Sequence, residues 1–83
     1  MSSLDGLRVA LIGRLRYGHA SLRTALRDAG AVCARDVDLQ VDVAVVGLAG
    51  GGKLARARTL GIPTVDEDTL RSWLDGAPVM FGE

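Results

Sequence analysis

The sequence is poor in the residues that build disulfides, metal clusters and membrane spans. Its 83 residues include one cysteine and one histidine, and no apolar run approaches the ~20 residues that a spanning helix needs. A lone Cys33 cannot form an internal disulfide or a zinc cluster, so we expect a buried small hydrophobic residue in a cytoplasmic protein. The N-terminal MSSLDG has no basic segment followed by an apolar core. We therefore expect neither export nor a membrane partner.

The charges of the chain cancel, but they are unevenly distributed. Ten basic and ten acidic side chains argue against a generally cationic nucleic-acid coat. The segment from Arg8 to Arg27 nevertheless holds five arginines and no acid. A second basic group consists of Lys53, Arg56 and Arg58. For most of these residues we expect solvated surface and helix-end preferences.

No residues are arranged as a catalytic centre. The serines and threonines have no evident base partner, and one histidine is too little for most acid-base sets. The acids Asp66, Glu67 and Asp68 are more typical of a helix start than of a metal site. The sequence predicts no catalytic residues, no metal, no cofactor and no enzymatic activity.

Apolar runs alternate with helical patterns along the chain. The predicted strands are LRVALI, AVCA, VDVAVVG and IPTVD, and the predicted helices are ASLRTALRDAG, KLARARTLG and DEDTLRSWLDG. Pro63 suggests that the last strand lies at a sheet edge. The alternation predicts an α/β fold with a mainly parallel sheet between helices. We expect one domain over residues 1–76 and a tail over 77–83, in which Met80 and Phe81 would extend the core or meet a partner.

The stretch VVGLAGGGKLARA carries the most informative turn. Gly47, Gly52 and Lys53 fit the first part of a phosphate-binding P-loop, but Leu54 stands where that motif needs Ser or Thr. Helix N-termini attract anions through unpaired N–H groups, and glycine lets the backbone approach a ligand closely. The loops GRLRYGH and GLAGGGK would share one anion if the first and third strands were neighbours. From the residues alone, an anion cradle and a simple turn with a solvated lysine are equally open.

The order of motifs resembles a BRCT domain, a small module of DNA repair and replication proteins. The resemblance covers nearly the whole chain and is carried by LDGLRVALIGRL, LRTALRDAGA, VDVAVVG and above all GGGKLARARTLGIPTVDEDTL. The last stretch is very similar to NAD-dependent DNA ligases and the clamp-loader large subunit. Trp73 falls where the family usually carries a tryptophan. The resemblance implies a four-stranded parallel sheet in order 2-1-3-4, with helices one and three on one face and helix two on the other.

The resemblance also implies positions for a phosphate site. Members that bind phosphate use a Ser or Thr, the following glycine and a lysine at the start of helix two, which correspond to Ile12, Gly13 and Lys53. Gly13 and Lys53 fit, whereas Ile12 cannot donate a hydroxyl hydrogen bond. DNA-binding members add a basic residue at the start of helix one, where His19 is the nearest match. The predicted phosphate or DNA contacts are Gly13, Arg14, Arg16, His19, Arg23, Lys53 and Arg56.

Three functions follow from these features. The first is a non-catalytic BRCT module that binds DNA through phosphates, 5′-phosphorylated ends included, or docks onto a repair or replication protein. The second is a pure protein-interaction module or homodimer, with apolar contacts from Ile12, Leu15, Tyr17 and the Met80–Phe81 tail. The third is a degenerate nucleotide-binding protein, which Leu54 disfavours because it cannot coordinate magnesium.

Overall fold

The computed structural model describes residues 4–80 of the chain. Its elements, in order, are β1 (Arg8–Ile12), α1 (His19–Asp28), β2 (Val32–Ala34), β3 (Val43–Val46), α2 (Gly51–Thr59), β4 (Thr64–Val65) and α3 (Glu67–Leu74). All seven predicted elements are present in the predicted order. The boundaries differ by a few residues, and α2 begins at Gly51, two residues before Lys53, because the glycine turn already enters the helix.

The four strands form one parallel sheet in the order β2-β1-β3-β4. β1 lies between β2 and β3, with Ala10 opposite Ala34 on one side and Ala44 on the other. This order and direction confirm the predicted sheet. The short β4 is an edge strand next to β3, in agreement with the position of Pro63 just before it.

The two faces of the sheet bury separate hydrophobic cores. Val9 and Leu11 of β1 face the core under α1 and α3, where Leu26 and Leu70 are fully buried. The alternate residues of β1 face a smaller core under α2 that includes Ala57. This alternation follows the two-residue period of a strand. It places α1 and α3 on one face and α2 on the other, as the resemblance implies.

The C-terminal segment continues past α3 along the first core. Ala77 and Val79 are partly buried against that core, and Met80 is 76% exposed. Phe81 lies outside the described residues. No helix within residues 4–80 is long and apolar enough to cross a bilayer.

Candidate functional site

The carboxyl ends of β1 and β3 form the rim where the two helix layers diverge. The chain leaves β1 for α1 on one face and leaves β3 for α2 on the other. Such a switch point between neighbouring parallel strands is where α/β sheets bind ligands. The two loops that the sequence singled out, residues 13–18 and 47–50, therefore lie at the same rim.

These two loops are joined by backbone hydrogen bonds. The Arg14 amide donates to the Leu48 carbonyl over 2.6 Å, and the Leu48 amide donates back to the Arg14 carbonyl over 2.9 Å. Gly13 has φ +79°, and a Cβ on it would lie 2.5 Å from the Leu48 oxygen and 3.3 Å from Gly50. Glycine at position 13 is therefore required both for the backbone conformation and for the close approach of the second loop.

Beside these loops a cavity of about 360 Å³ collects basic side chains from three elements. We call it the basic pocket, and it is lined by His19, Arg23, Arg35 and Lys53 together with Leu11, Cys33 and Ala34. Arg23, Arg35 and Lys53 are exposed, and within residues 4–80 their side chains form no hydrogen bond and no ion pair. No acid lines the cavity. The pocket thus concentrates positive charge that is not paired with an acid, which suits an anion.

His19 connects the basic pocket to Gly13. Its Nε2 lies 2.7 Å from the Gly13 carbonyl oxygen. Because a carbonyl only accepts, Nε2 carries the hydrogen in this contact.

The three helix N-termini differ in whether a side chain caps them. Neither α1 nor α2 has a side-chain cap or an acid in its first turn. In contrast, α3 is capped by Asp66, which accepts from the Thr69 amide over 2.8 Å. Hydrogen bonds from Thr69 lower the pKa of Asp66 below its ordinary value. The partial positive charge at the N-termini of α1 and α2 is thus not offset by an acid or a capping side chain, whereas that of α3 is.

Comparison with known proteins supports the assignment of the fold. No family model matches the chain. A DNA ligase of Rubrobacter xylanophilus is 36% identical over 73 residues, which is 88% of this chain and 11% of the ligase. The chain thus spans about a tenth of the ligase that it matches.

Solved structures of Rad4 have the same arrangement of helices and strands. Rad4 BRCT1,2 bound to an Mdb1 phosphopeptide gives a TM-score of 0.84 at 19% identity, over 96% of this chain and 44% of that chain. The chain has the BRCT fold. Rad4 BRCT1,2 with a Crb2 phosphopeptide gives a TM-score of 0.83 at 19% identity, over 94% of this chain and 43% of that chain. S. pombe Rad4 BRCT3,4 gives a TM-score of 0.75 at 19% identity, over 93% of this chain and 44% of that chain. The resemblance predicted from the sequence is confirmed at the level of the fold.

Within this BRCT fold, Arg14 and Arg16 lie away from the basic pocket. They line a separate cavity of about 560 Å³ beside the start of α3, bordered by Asp66, Glu67 and Asp68. The Arg16 guanidinium lies 2.7 Å from an Asp68 oxygen, and its backbone amide donates to Glu67 over 2.7 Å. Arg16 is therefore already paired with acids of α3.

Arg56 lies next to the basic pocket without lining it. Its Nε donates to the Val37 carbonyl over 2.7 Å, and it shares a neighbouring cavity with Lys53, Asp36 and Asp38. The structure thus brings His19, Arg23 and Lys53 together, connects Gly13 to them through His19, and leaves Arg56 beside them.

Ile12, which stands where phosphate-binding members carry a hydroxyl, is a core residue. Ile12 is fully buried in the core under α2, and its Cγ2 lies 3.2 Å from where a Cβ on Gly50 would be. The residue therefore packs beneath the start of α2 and contributes no donor to the rim.

Sequence reasoning missed two residues of this region. Arg35 lies in a polar connection, but it directly follows β2, whose parallel alignment with β1 brings it to the same rim. Glu67 is 6% exposed and accepts hydrogen bonds from the backbone amides of Arg16 and Tyr17 over 2.7 and 2.9 Å. It therefore fastens the β1–α1 loop to α3 from a position some fifty residues away in sequence.

Cys33 forms part of the pocket wall and is only half-buried, whereas the sequence predicts a buried residue. Burial raises the pKa of its thiol, and the nearby Arg23 acts in the opposite direction with a smaller effect. Within residues 4–80, no group of three His, Cys, Asp or Glu side chains is placed to hold a metal ion.

Proposed function

We propose that the chain is a non-catalytic BRCT module of DNA repair or replication that binds DNA through a phosphate in the basic pocket. A 5′-terminal phosphate is the preferred ligand. The end of a DNA strand can enter a recessed pocket, whereas an internal phosphate of a continuous strand can only lie across its opening. The binding unit would be residues 1–76, with 77–83 as a tail, and its cytoplasmic location stays a prediction. The similarity to a DNA ligase supports a role in DNA transactions.

The observation that carries this proposal is the convergence of four basic side chains on one cavity. His19 and Arg23 come from α1, Arg35 from the end of β2 and Lys53 from α2. A phosphate would receive charge-assisted hydrogen bonds there, which are stronger than neutral ones. Such contacts provide affinity without base specificity, so binding should weaken as salt rises.

Replacing Lys53 by alanine tests the proposal. We expect the parent to bind a duplex with a 5′ phosphate more tightly than the same duplex with a 5′ hydroxyl, measured by fluorescence anisotropy at two salt concentrations. The loss of one charged contact should weaken binding to the phosphorylated duplex about tenfold to a hundredfold.

Arg58→Ala is the matched control for that variant. Arg58 is exposed on the same helix and lines none of the cavities described above. Its replacement by alanine removes the same charge as Lys53→Ala. Equal binding of the phosphorylated duplex by the parent and by Lys53→Ala at low salt would refute the proposed site.

A protein partner is the second candidate function. Two of the Rad4 structures are complexes with phosphopeptides. Tyr17 and Leu48 are large hydrophobic residues that are 48% and 73% exposed here. Against phosphopeptide binding in the family's usual manner stands Ile12, which offers no hydroxyl. Sedimentation over a concentration series distinguishes self-association, because a module that binds only DNA should stay a monomer.

A further inference from the structure

A stripe of basic residues runs along α1 away from the basic pocket. His19, Arg23 and Arg27 are spaced four residues apart, so they lie on the same helical face, one turn above another. With a rise of about 1.5 Å per residue, the stripe extends about 12 Å along the helix. Positive charge therefore continues beyond the pocket on one side of α1.

This stripe forms one wall of a second groove, between α1 and the edge strand β2. The groove has a volume of about 380 Å³ and is lined by Arg23, Thr24 and Arg27 on the helix and by Val32 and Cys33 on the strand. It shares Arg23 and Cys33 with the basic pocket. The two cavities are thus neighbours along a single track.

The arginines of the groove are not paired with acids. Among the described residues, the side chains of Arg23 and Arg27 form no hydrogen bond and no ion pair, whereas Arg16 pairs with Asp68. Two like charges four residues apart destabilise a helix. No acid lines the groove, so the Arg23 charge is unpaired, whereas Arg27 lies in the last turn of α1, where the helix dipole favours a cation.

We infer that the groove between α1 and β2 is a second phosphate site, which takes internal backbone phosphates of a nucleic-acid strand whose terminal phosphate occupies the basic pocket. This inference rests on the proposed function. A singly phosphorylated peptide supplies one phosphate, whereas a strand supplies a series of them, and a continuous track of basic residues fits the series. The side chains of the groove include no aromatic residue for stacking, so the contacts are independent of base sequence.

The Arg27→Gln variant tests the second site. Each phosphate contact contributes about 0.9 to the slope of log affinity against log salt concentration. The loss of one contact should therefore weaken duplex binding about eightfold at 0.1 M salt and lower the magnitude of that slope by about one. Internal phosphates are present in both duplexes, so the preference for a 5′ phosphate over a 5′ hydroxyl should be unchanged. In Lys53→Ala, by contrast, that preference should collapse.

Two further variants serve as controls. Arg58→Gln removes the same charge from the exposed side of α2 and should leave the salt slope as in the parent. Arg27→Lys keeps a positive charge on the groove and should restore most of the affinity.

The possible failures are distinguishable. If Arg27→Gln binds like Arg58→Gln while Lys53→Ala loses the 5′-phosphate preference, the second site is refuted and the pocket stands. If Arg27→Gln abolishes the preference, Arg27 acts on the terminal phosphate, and the groove is not a separate site. If the parent binds a phosphoserine peptide but no duplex, both the second site and the DNA proposal are overturned.

Discussion

At the scale of single residues, Glu67 has the most consequential position outside the basic pocket. Its carboxylate is almost fully buried and accepts two backbone amides of the β1–α1 loop. That loop leads from Gly13 to His19, so the orientation of the pocket's histidine depends on where α3 holds the loop. A cation–π contact of Arg71 on α3 with the Tyr17 ring, at 4.2 Å, supports the same attachment.

Removing the Glu67 carboxylate should destabilise the fold. Hydrogen bonds to a charged group contribute about 1.5–3 kcal/mol, so we expect Glu67→Ala to lower the free energy of unfolding by about 2–3 kcal/mol in urea denaturation. Asp68→Ala is the control, since its ion pair with Arg16 is exposed and should contribute less than about 1 kcal/mol. Equal effects of the two substitutions would contradict the anchoring role of Glu67.

Residue types alone left the site undecided. An anion cradle and a turn with a solvated lysine were equally open, and the roles predicted for Gly13 and Lys53 came from the resemblance to BRCT domains. Arg14 and Arg16 lie within three residues of Gly13 in sequence, yet they line a cavity beside the acids of α3, which no local pattern reveals. Arg35 could not be found without knowing which strand ends share the rim.

At the scale of elements, the three helix N-termini have two different roles. Those of α1 and α2 are open at the basic rim, whereas Asp66 completes that of α3. The acids that follow Asp66 also lie in the first turn, where the helix dipole favours them. Sequence analysis assigned Asp66, Glu67 and Asp68 to a helix start, and the structure confirms that assignment.

The Asp66 cap should make a measurable, pH-dependent contribution. We expect Asp66→Ala to cost about 1 kcal/mol of unfolding free energy at pH 7. The folded state lowers the pKa of Asp66 from its ordinary value of 3.8. The stabilisation is therefore present above pH 3.8 and is lost as the pH falls through the lower folded-state pKa.

Denaturation of the parent and the variant at several pH values checks this expectation. Asp75→Ala, at the other end of α3, removes the same charge without removing a side-chain hydrogen bond to the helix N-terminus, and it should cause no comparable loss. A cost for Asp66→Ala that grows on acidification would have the wrong sign and would exclude the cap as its cause.

The elements themselves were largely readable from sequence because each carries its own signal. Buried parallel strands show as short apolar runs, and Gly30, Gly61 and Gly76 follow the helix ends with positive φ. The start of α2 could not be fixed, because three consecutive glycines give no indication of where helical geometry begins. Gly51 enters the helix with φ +55°.

At the scale of the whole molecule, the sheet order determines which distant segments meet. Alternation of elements predicts a parallel sheet, but it does not by itself say that β1 lies between β2 and β3. That order came from the resemblance to BRCT domains, and it alone brings Arg35, His19 and Lys53 to one rim. Basic side chains are therefore concentrated at this rim, even though the net charge of the chain is zero.

The central claim is that one phosphate binds in the basic pocket, between the starts of α1 and α2. The most direct test is an NMR titration of the ¹⁵N-labelled protein with a 5′-phosphorylated duplex, with the 5′-hydroxyl duplex as reference. We predict that the amides of Gly13 and His19 and those around Lys53 shift along a single binding curve, with larger shifts for the phosphorylated duplex. Shifts confined to one helix start, or centred on Leu39 and Met80 with the basic pocket unaffected, would contradict the claim.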